Sequence, residues 1–355
     1  MENLRELTQR LLAWYHANAR ELPWRQTHDP YRIWVSEIML QQTRVAAVLG
    51  YYARFLEAFP TVEALASAEE EKLMKCWEGL GYYSRARNLQ KAARLVTEQY
   101  GGCFPADHDK LLELPGIGEY TAGAIASAAF GLPFPAVDGN VLRVMTRLTD
   151  CHEDIALPAA KTLAKDWVSE HMPAEPEEIR VFNQALMELG ATVCAPNVTP
   201  RCEACPLAEL CLGRLRGTAE TLPVKAAKKP RQAEKMTVYV LEREGRIALR
   251  KRPKTGLLAG LWEFPNVSGT LDEEAAIAPV TAWGLTAVEW KKKLTAKHIF
   301  THREWHMTGY VLRVADKGPG DFLWADADTL KECAVPSAFA RYLEEARKTL
   351  EGEKL

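Results

Sequence analysis

The chain has 355 residues, 47% of them hydrophobic, and a formal net charge of -2. That length suits about two to three domains with full cores. The charge balance excludes a globally basic nucleic-acid binder, and the lack of any apolar run of about 18 residues excludes a membrane-spanning helix.

The opening stretch MENLRELTQRLLAWYHANAR predicts an amphipathic helix. It has neither the short apolar core nor the cleavage site of a signal peptide, so a cytoplasmic location is expected. From there to Cys211 the apolar spacing is helical, with breaks near Pro60, Gly101, Pro133 and Pro173. Glu37 stands in one predicted helix among Val35, Ile38, Met39 and Leu40. Burial there would raise its pKa and hold it protonated, although the pattern alone reads more simply as a surface glutamate. In LPGIGEYTAGAIASAAF, residues 114–130, Pro115, Gly116, Ile117 and Gly118 predict a tight hairpin feeding a helix from Glu119. Such a turn offers backbone N–H groups at a helix N-terminus, which suits a phosphate. Asp138 in AVDGNV has the position of a helix N-cap.

Of eight cysteines, Cys194, Cys202, Cys205 and Cys211 cluster as C-x7-C-x2-C-x5-C. In a cytosolic setting this pattern points to a metal centre rather than disulfides. Zinc and a [4Fe–4S] cluster both fit four thiolates. The remaining cysteines are scattered and read as structural.

Residues 212–235 are basic and weakly apolar, and an interdomain linker is placed at 216–235. Lys225, Lys228, Lys229, Arg231 and Lys235 face only Glu234 there. From 236 the pattern alternates, and MTVYVLEREGRIALRKR predicts a hairpin turning at Glu244-Gly245. Further strands are expected at HMTGYVLRVA and HIFT, and helices within 272–280 and 336–350. Lys291, Lys292, Lys293, Lys297 and Arg303 alternate with Trp290, Phe300 and Trp305. Charge interleaved with aromatics can mark nucleic-acid binding, but the runs alone read more simply as a solvated charged face together with an ordinary aromatic core.

The hairpin, the Asp about twenty residues beyond it and the closing four-Cys loop together resemble the helix-hairpin-helix DNA glycosylases of the endonuclease III superfamily, over roughly residues 1–215. Within that region LPWR (22–25), VSEIMLQQTRV (35–45), GLGYYSRARN (79–88) and MELGA (187–191) resemble its adenine-specific MutY branch. RPKTGLLAGLWEFPN and HIFTHREWH resemble that branch's C-terminal MutT-like domain. The resemblance implies a mainly α glycosylase region at 1–215 with an Fe–S loop and a smaller α+β MutT-like domain at 236–355. The six-helix barrel would occupy about 24–130, and the cluster domain 1–23 with 131–215. It also implies a [4Fe–4S] cofactor on the four clustered cysteines. Two positions depart from the family pattern. Seven residues separate Cys194 from Cys202 where six are usual, and the triplet Phe300-Thr301-His302 replaces Phe-Ser-His.

By the same resemblance, Glu37 protonates the leaving adenine and Asp138 stabilises the sugar cation, with Asn140 orienting Asp138 or the attacking water. Gln42 and Tyr82 fill and wedge the stack as the base flips out. Leu22, Trp24, Arg25, Leu40, Val45 and Glu188 line the adenine pocket, Glu188 accepting the exocyclic amine. Phe300, Thr301 and His302 read oxoguanine, and residues 115–118 hold backbone phosphate. Tyr120 stands where lyase relatives carry Lys, and a phenol forms no imine. The implied protein is thus a monofunctional, monomeric glycosylase acting on duplex DNA with adenine opposite 8-oxoguanine or guanine. An endonuclease III-like pyrimidine glycosylase with lyase activity fits Glu37 and Tyr120 less well. A non-catalytic Fe–S DNA-binding protein leaves the two carboxylates unexplained. A nucleotide pyrophosphohydrolase lacks its acidic box, since only Asp272, Glu273 and Glu274 follow LWEFPN.

Overall fold

The computed structural model describes residues 2–226 and 230–352. Lys228 and Lys229 of the basic linker run lie outside the described residues. The chain divides into two compact units, Met1–Ser67 with Arg87–Ala227, and Ala68–Ala86 with Lys228–Leu355. Sequence reading places one junction, near 216–235; the structure adds the excursion at 68–86.

The first unit is helical. It holds α1 (Glu2–Asn18), α2 (Pro30–Leu40), α3 (Val45–Ala58) and α4 (Val62–Ala66). After α5 (Glu70–Cys76) of the second unit come α6 (Ser84–Tyr100), α7 (His108–Leu112), α8 (Glu119–Phe130), α9 (Gly139–Thr149), α10 (Pro158–Glu170), α11 (Pro176–Thr192) and α12 (Leu212–Leu215). Local chemistry sets the starts that matter here. Asp29 caps α2 by accepting from the Tyr31 amide at 2.9 Å, with Pro30 at the first helical position. Asp138 caps α9, as its place in the sequence predicts, by accepting from the amides of Asn140 and Val141, each at 2.8 Å. The small residues of α8 bury nearly its whole circumference and let it pack closely on α2 and α11.

Two glycines fix the site's backbone. Gly116, in the hairpin between α7 and α8, has φ +82°, and a Cβ there would come within 2.8 Å of Asn88 Cβ. Gly190 of α11 lies so close to α9 that a Cβ would meet Asn140 Cβ at 2.6 Å. That contact brings the N-terminus of α9 against α11.

The second unit is a mixed sheet between helices. Its strands are β1 (Gln232–Arg243), β2 (Arg246–Lys251), β3 (Trp262–Glu263), β4 (Asn266–Ser268), β5 (Ala287–Ile299), β6 (Arg303–Val314) and β7 (Phe322–Ala325). The order is β3-β2-β1-β6-β5, with β4 on β1 and β7 on β2. β1 runs parallel to β6, with Glu234 opposite Trp305. Helices α13 (Ile277–Ala282), α14 (Ala327–Glu332) and α15 (Ala340–Gly352) complete the unit. Val238 and Val240 of β1 join the core beneath Phe339 and Tyr342, while Tyr239 and Leu241 join the opposite core with Val280 and Leu285. The alternation expected from 236 gives way in β1 to unbroken burial from Thr237 to Glu242, as a central strand covered on both faces requires.

The expected hairpin at Glu244-Gly245 is present, both residues having positive φ. Three expectations need correction. The 272–280 helix is displaced to Ile277–Ala282, because Asp272 uses its carboxylate to accept from the Ala275 amide in a preceding turn. HIFT is strand only in its first half: His298 and Ile299 close β5, a longer strand beginning at Ala287, and Phe300, Thr301 and His302 form the turn into β6. The last residues of the assigned linker, from Gln232, already belong to β1.

Candidate active site and cysteine loop

Glu37 lies on the third turn of α2, and Tyr120 on the first turn of α8. The Tyr120 hydroxyl donates to Glu37 Oε2 at 2.6 Å and also contacts Met187 Sδ at 3.3 Å. Burial pushes the Glu37 carboxyl up to about 7. The Tyr120 hydrogen bond opposes that rise, the Asp138 carboxylate adds to it, and Arg25 opposes it. Tyr120 itself is held well above its ordinary pKa, by burial first and then by the two carboxylates, so it stays a neutral donor.

Asp138 differs from Glu37 in its partners. Burial leaves its pKa raised as well, although the Asn140 and Val141 amides, the Asn140 side chain and the Arg143 charge all favour its ionised form and oppose that rise. Asn140 Nδ2 donates to Asp138 Oδ2 at 2.6 Å. Asn140 Oδ1 accepts from Arg143 Nη2 at 2.8 Å, which also donates to Gly190 O at 2.7 Å. Arg143 Nε reaches Cys194 O at 2.7 Å. One turn further on α9, Arg147 donates to Cys194 Sγ at 3.2 Å and to Leu222 O at 3.0 Å. An unbroken chain of hydrogen bonds therefore joins the Asp138 carboxylate to the first clustered cysteine.

Leu22 and Trp24 are buried, and Leu40 and Val45 are half-buried at the two ends of the turn between α2 and α3. Glu188 is fully buried on α11. It accepts from Arg20 Nε and Nη2 at 2.7 Å each and from Arg25 Nη2 at 2.8 Å. Burial alone would raise its pKa; the two guanidiniums reverse this and bring it to about 2. The expectation that Glu188 accepts an adenine amine thus meets a carboxylate whose oxygens are committed to Arg20 and Arg25.

In the hairpin, Ile117 is buried while Gly116 and Gly118 are exposed, and no side chain caps α8 at Gly118. Gln42 has φ 61° and an exposed side chain. In the second unit, Tyr82 has φ 47° and is 47% exposed. Left-handed backbone at non-glycine residues costs about 1–3 kcal/mol and gathers at functional positions.

Cys194, Cys202, Cys205 and Cys211 line one cavity of about 390 Å³, counted to its open mouth. Val144, Leu148, Leu189 and Val193 form its apolar wall. Burial, and then the neighbouring sulfurs, push the Cys205 thiol up to about 12. Among the described residues no three Cys, His, Asp or Glu side chains gather tightly enough to hold a bare metal ion. The seven-residue first spacing is taken up by a loop with Asn197 at φ 58°, closed where the Arg201 amide donates to Val193 O at 3.0 Å. The donor set, four thiols around one apolar-walled cavity with a cationic Arg147 beside the first sulfur, fits a thiolate-held group.

In the second unit, Phe300 packs edge-on between His298, at 4.6 Å, and Trp305, at 4.9 Å. Thr301 and His302 are exposed, and the hydroxyls of Thr301 and Tyr82 share a hydrogen bond of 2.5 Å. The basic stretch is a paired, solvated face. Lys291 meets Glu242, Lys292 meets Glu345, Lys297 meets Glu304 and Arg303 meets Glu234.

Sequence reasoning missed Arg20, Arg143, Arg147 and Met187. For the two α9 arginines a signal existed: cations at i and i+4 in an otherwise apolar stretch, one turn beyond a capping Asp.

The structure carries no helix, among the described residues, long and apolar enough to cross a membrane. Residues 35–170 match the HhH-GPD superfamily of base excision DNA repair proteins, and residues 236–345 match the NUDIX domain. The adenine DNA glycosylase of Rattus norvegicus is 36% identical, over 97% of this chain and 79% of its own length. The Homo sapiens adenine DNA glycosylase is 38% identical over 82% of this chain, the match spanning 64% of the human protein. The solved structure of a thermostable thymine-DNA glycosylase superposes with a TM-score of 0.53 at 29% identity, covering 61% of this chain and 98% of that one. The helical unit, the sheet-containing unit and these matches agree: the chain belongs to the adenine DNA glycosylase family of HhH-GPD base excision repair enzymes.

Proposed function

We propose that this protein hydrolyses the N-glycosidic bond of adenine mispaired with 8-oxoguanine or guanine, as a monofunctional glycosylase working on duplex DNA. The observation that carries the reading is the pairing of Glu37, pushed up to about 7, with the un-ionised Tyr120 donor beside it and the Asp138 carboxylate near by. Cleavage leaves the bonding electrons on the base and positive charge on the sugar. Glu37 is protonated over a usable fraction of molecules at neutral pH and gives its proton to the base nitrogen N7. Asp138, whose ionised form the helix-capping amides and Asn140 favour against burial, faces the oxocarbenium charge. Water then adds to the sugar carbon, and its proton passes to the Glu37 carboxylate.

Arg25 works against Glu37 protonation. Glu188 offsets it by setting a carboxylate against Arg25 and Arg20, with three side-chain hydrogen bonds, so we assign Glu188 a positioning role rather than direct base contact. Tyr120 forms no imine, so strand cleavage by a lyase step is absent from this scheme. Gln42 and Tyr82, exposed and left-handed, suit the filling of the flipped base's place. The exposed glycine hairpin 115–118 suits a backbone phosphate at the uncapped start of α8.

Cys194, Cys202, Cys205 and Cys211 would hold a [4Fe–4S] cluster, whose contribution there is to cross-link the loop, since glycosidic hydrolysis transfers no electron. Residues 1–215 would then be the catalytic region and 236–355 the reader of the opposite base. Among the described residues the first helix after Asn266, α13, carries no Asp or Glu, and Asp272 is spent on a turn, which supports recognition over pyrophosphate chemistry.

The test is Glu37→Gln. The amide keeps the shape and holds no labile proton. Binding to adenine·oxoguanine duplexes should persist, while single-turnover excision falls by about 10²–10⁴-fold or more. A rate near that of the unmodified protein would remove Glu37 from the acid role.

A further inference from the structure

Phe300, Thr301 and His302 form a turn held directly by Tyr82, whose hydroxyl shares a hydrogen bond with Thr301, by Arg231 Nε, which donates to Phe300 O at 3.2 Å, and by two backbone bonds. The Phe300 amide donates to Arg303 O at 2.9 Å, and the Gln232 amide donates to His302 O at 3.1 Å. The Phe300 ring is held edge-on between His298, at 4.6 Å, and Trp305, at 4.9 Å, of which Trp305 is the buried one. Trp305 is 2% exposed, meets Phe339 at 5.9 Å and lies beneath the Arg252 guanidinium at 5.6 Å. Its indole N–H needs a partner when buried. That partner is Glu234, whose Oε2 accepts from Trp305 Nε1 at 2.8 Å. The other oxygen of Glu234 accepts from Arg303 Nη1, also at 2.8 Å.

Register explains the arrangement. In the parallel β1–β6 ladder Glu234 is the Cα partner of Trp305. It shares a strand face with Met236 and Val238, so its carboxylate lies at the end of the core that Trp305 closes. One acidic side chain thus ties down the first and third residues after the turn. In sequence it looks like the lone counter-charge in a basic linker. A rigid turn matters for the reader, because oxoguanine differs from guanine only at O8 and N7, and discrimination requires a donor or acceptor held in place.

We propose that Glu234 is a positioning residue for opposite-base recognition: by holding Trp305 Nε1 and Arg303 it fixes the Phe300 ring and, through it, the presentation of Thr301. The proposal rests on reading residues 300–302 as the element that meets oxoguanine.

The experiment compares single-turnover adenine excision opposite oxoguanine and opposite guanine, with full-length protein. Glu234→Ala should lower the oxoguanine preference by about tenfold, the worth of one charge-assisted hydrogen bond, with excision opposite guanine unchanged. Glu234→Gln, which still accepts from the indole, should restore most of the preference. Trp305→Phe keeps a ring and removes the N–H; it should lose preference as Glu234→Ala does, and the double variant should lose no more than either alone. If Glu234→Ala disturbs folding, Trp305→Phe and Glu234→Gln carry the test by themselves. Full preference in Trp305→Phe, or in a folded Glu234→Ala, overturns this proposal while leaving the function intact. Equal excision opposite both bases by the unmodified protein overturns the recognition reading and this proposal with it.

Discussion

A buried carboxyl with a raised pKa has a measurable consequence for stability. Glu37 has an ordinary pKa of 4.5 when exposed and about 7 when folded. Between those values the folded state holds a proton that the unfolded state has released. Stability therefore falls as pH rises through that window, and levels off above about 7 once both states are ionised. Glu37→Gln removes the penalty. Its melting temperature should exceed that of the unmodified protein by a margin that grows from about pH 4.5 to about pH 7 and is flat beyond. Thermal unfolding across that range measures it, and a margin independent of pH would contradict the raised pKa. Glu188 has the opposite sign. Held at about 2, it contributes stability above its ordinary value of 4.5 and loses it as pH falls.

At the scale of elements, α9 does most to organise the site: its cap supplies Asp138, and its buried Arg143 and Arg147 tie it to the cysteine loop. The loop should therefore hold a group that the purified protein retains. The protein is expected to be yellow-brown, with broad visible absorbance and iron and sulfide in equal amounts. Cys205→Ser should bleach it and lower its melting temperature. Colourless protein with stoichiometric zinc would refute the cluster.

The elements also mark what a sequence can disclose. Helices α2, α8 and α9 were legible because local signals agree there: caps, small residues, apolar spacing. The capping aspartate and the hairpin could be picked out by position, whereas Glu37 reads in the pattern alone as a surface glutamate and stands out only through the family resemblance. The 13-residue strand β5 was not legible. It lies at the sheet's edge, carries lysines on successive positions and shows no clean alternation. Long-range partners were invisible for a simpler reason. Glu188 and Arg20 stand 168 residues apart, so nothing local announces that one cancels the other. Glu234 was masked by the basic run around it.

The whole molecule joins a helical unit that carries two unlike carboxylates to a sheet unit that presents an exposed turn. That division suits an enzyme that must cut one strand's base while reading the other's. On the proposed reading, Tyr120, which carries no amine to form an imine, also separates this chain from lyase relatives. The central claim is adenine removal without strand cleavage, directed by the opposite base. The most direct measurement is single-turnover release from duplexes with adenine opposite oxoguanine, adenine opposite guanine, or an oxidised pyrimidine, each with a borohydride-trapping arm. The account predicts free adenine, fastest opposite oxoguanine, with intact strands until alkali is added and little trapped complex. Release of the oxidised pyrimidine with a nicked strand and efficient trapping would contradict it.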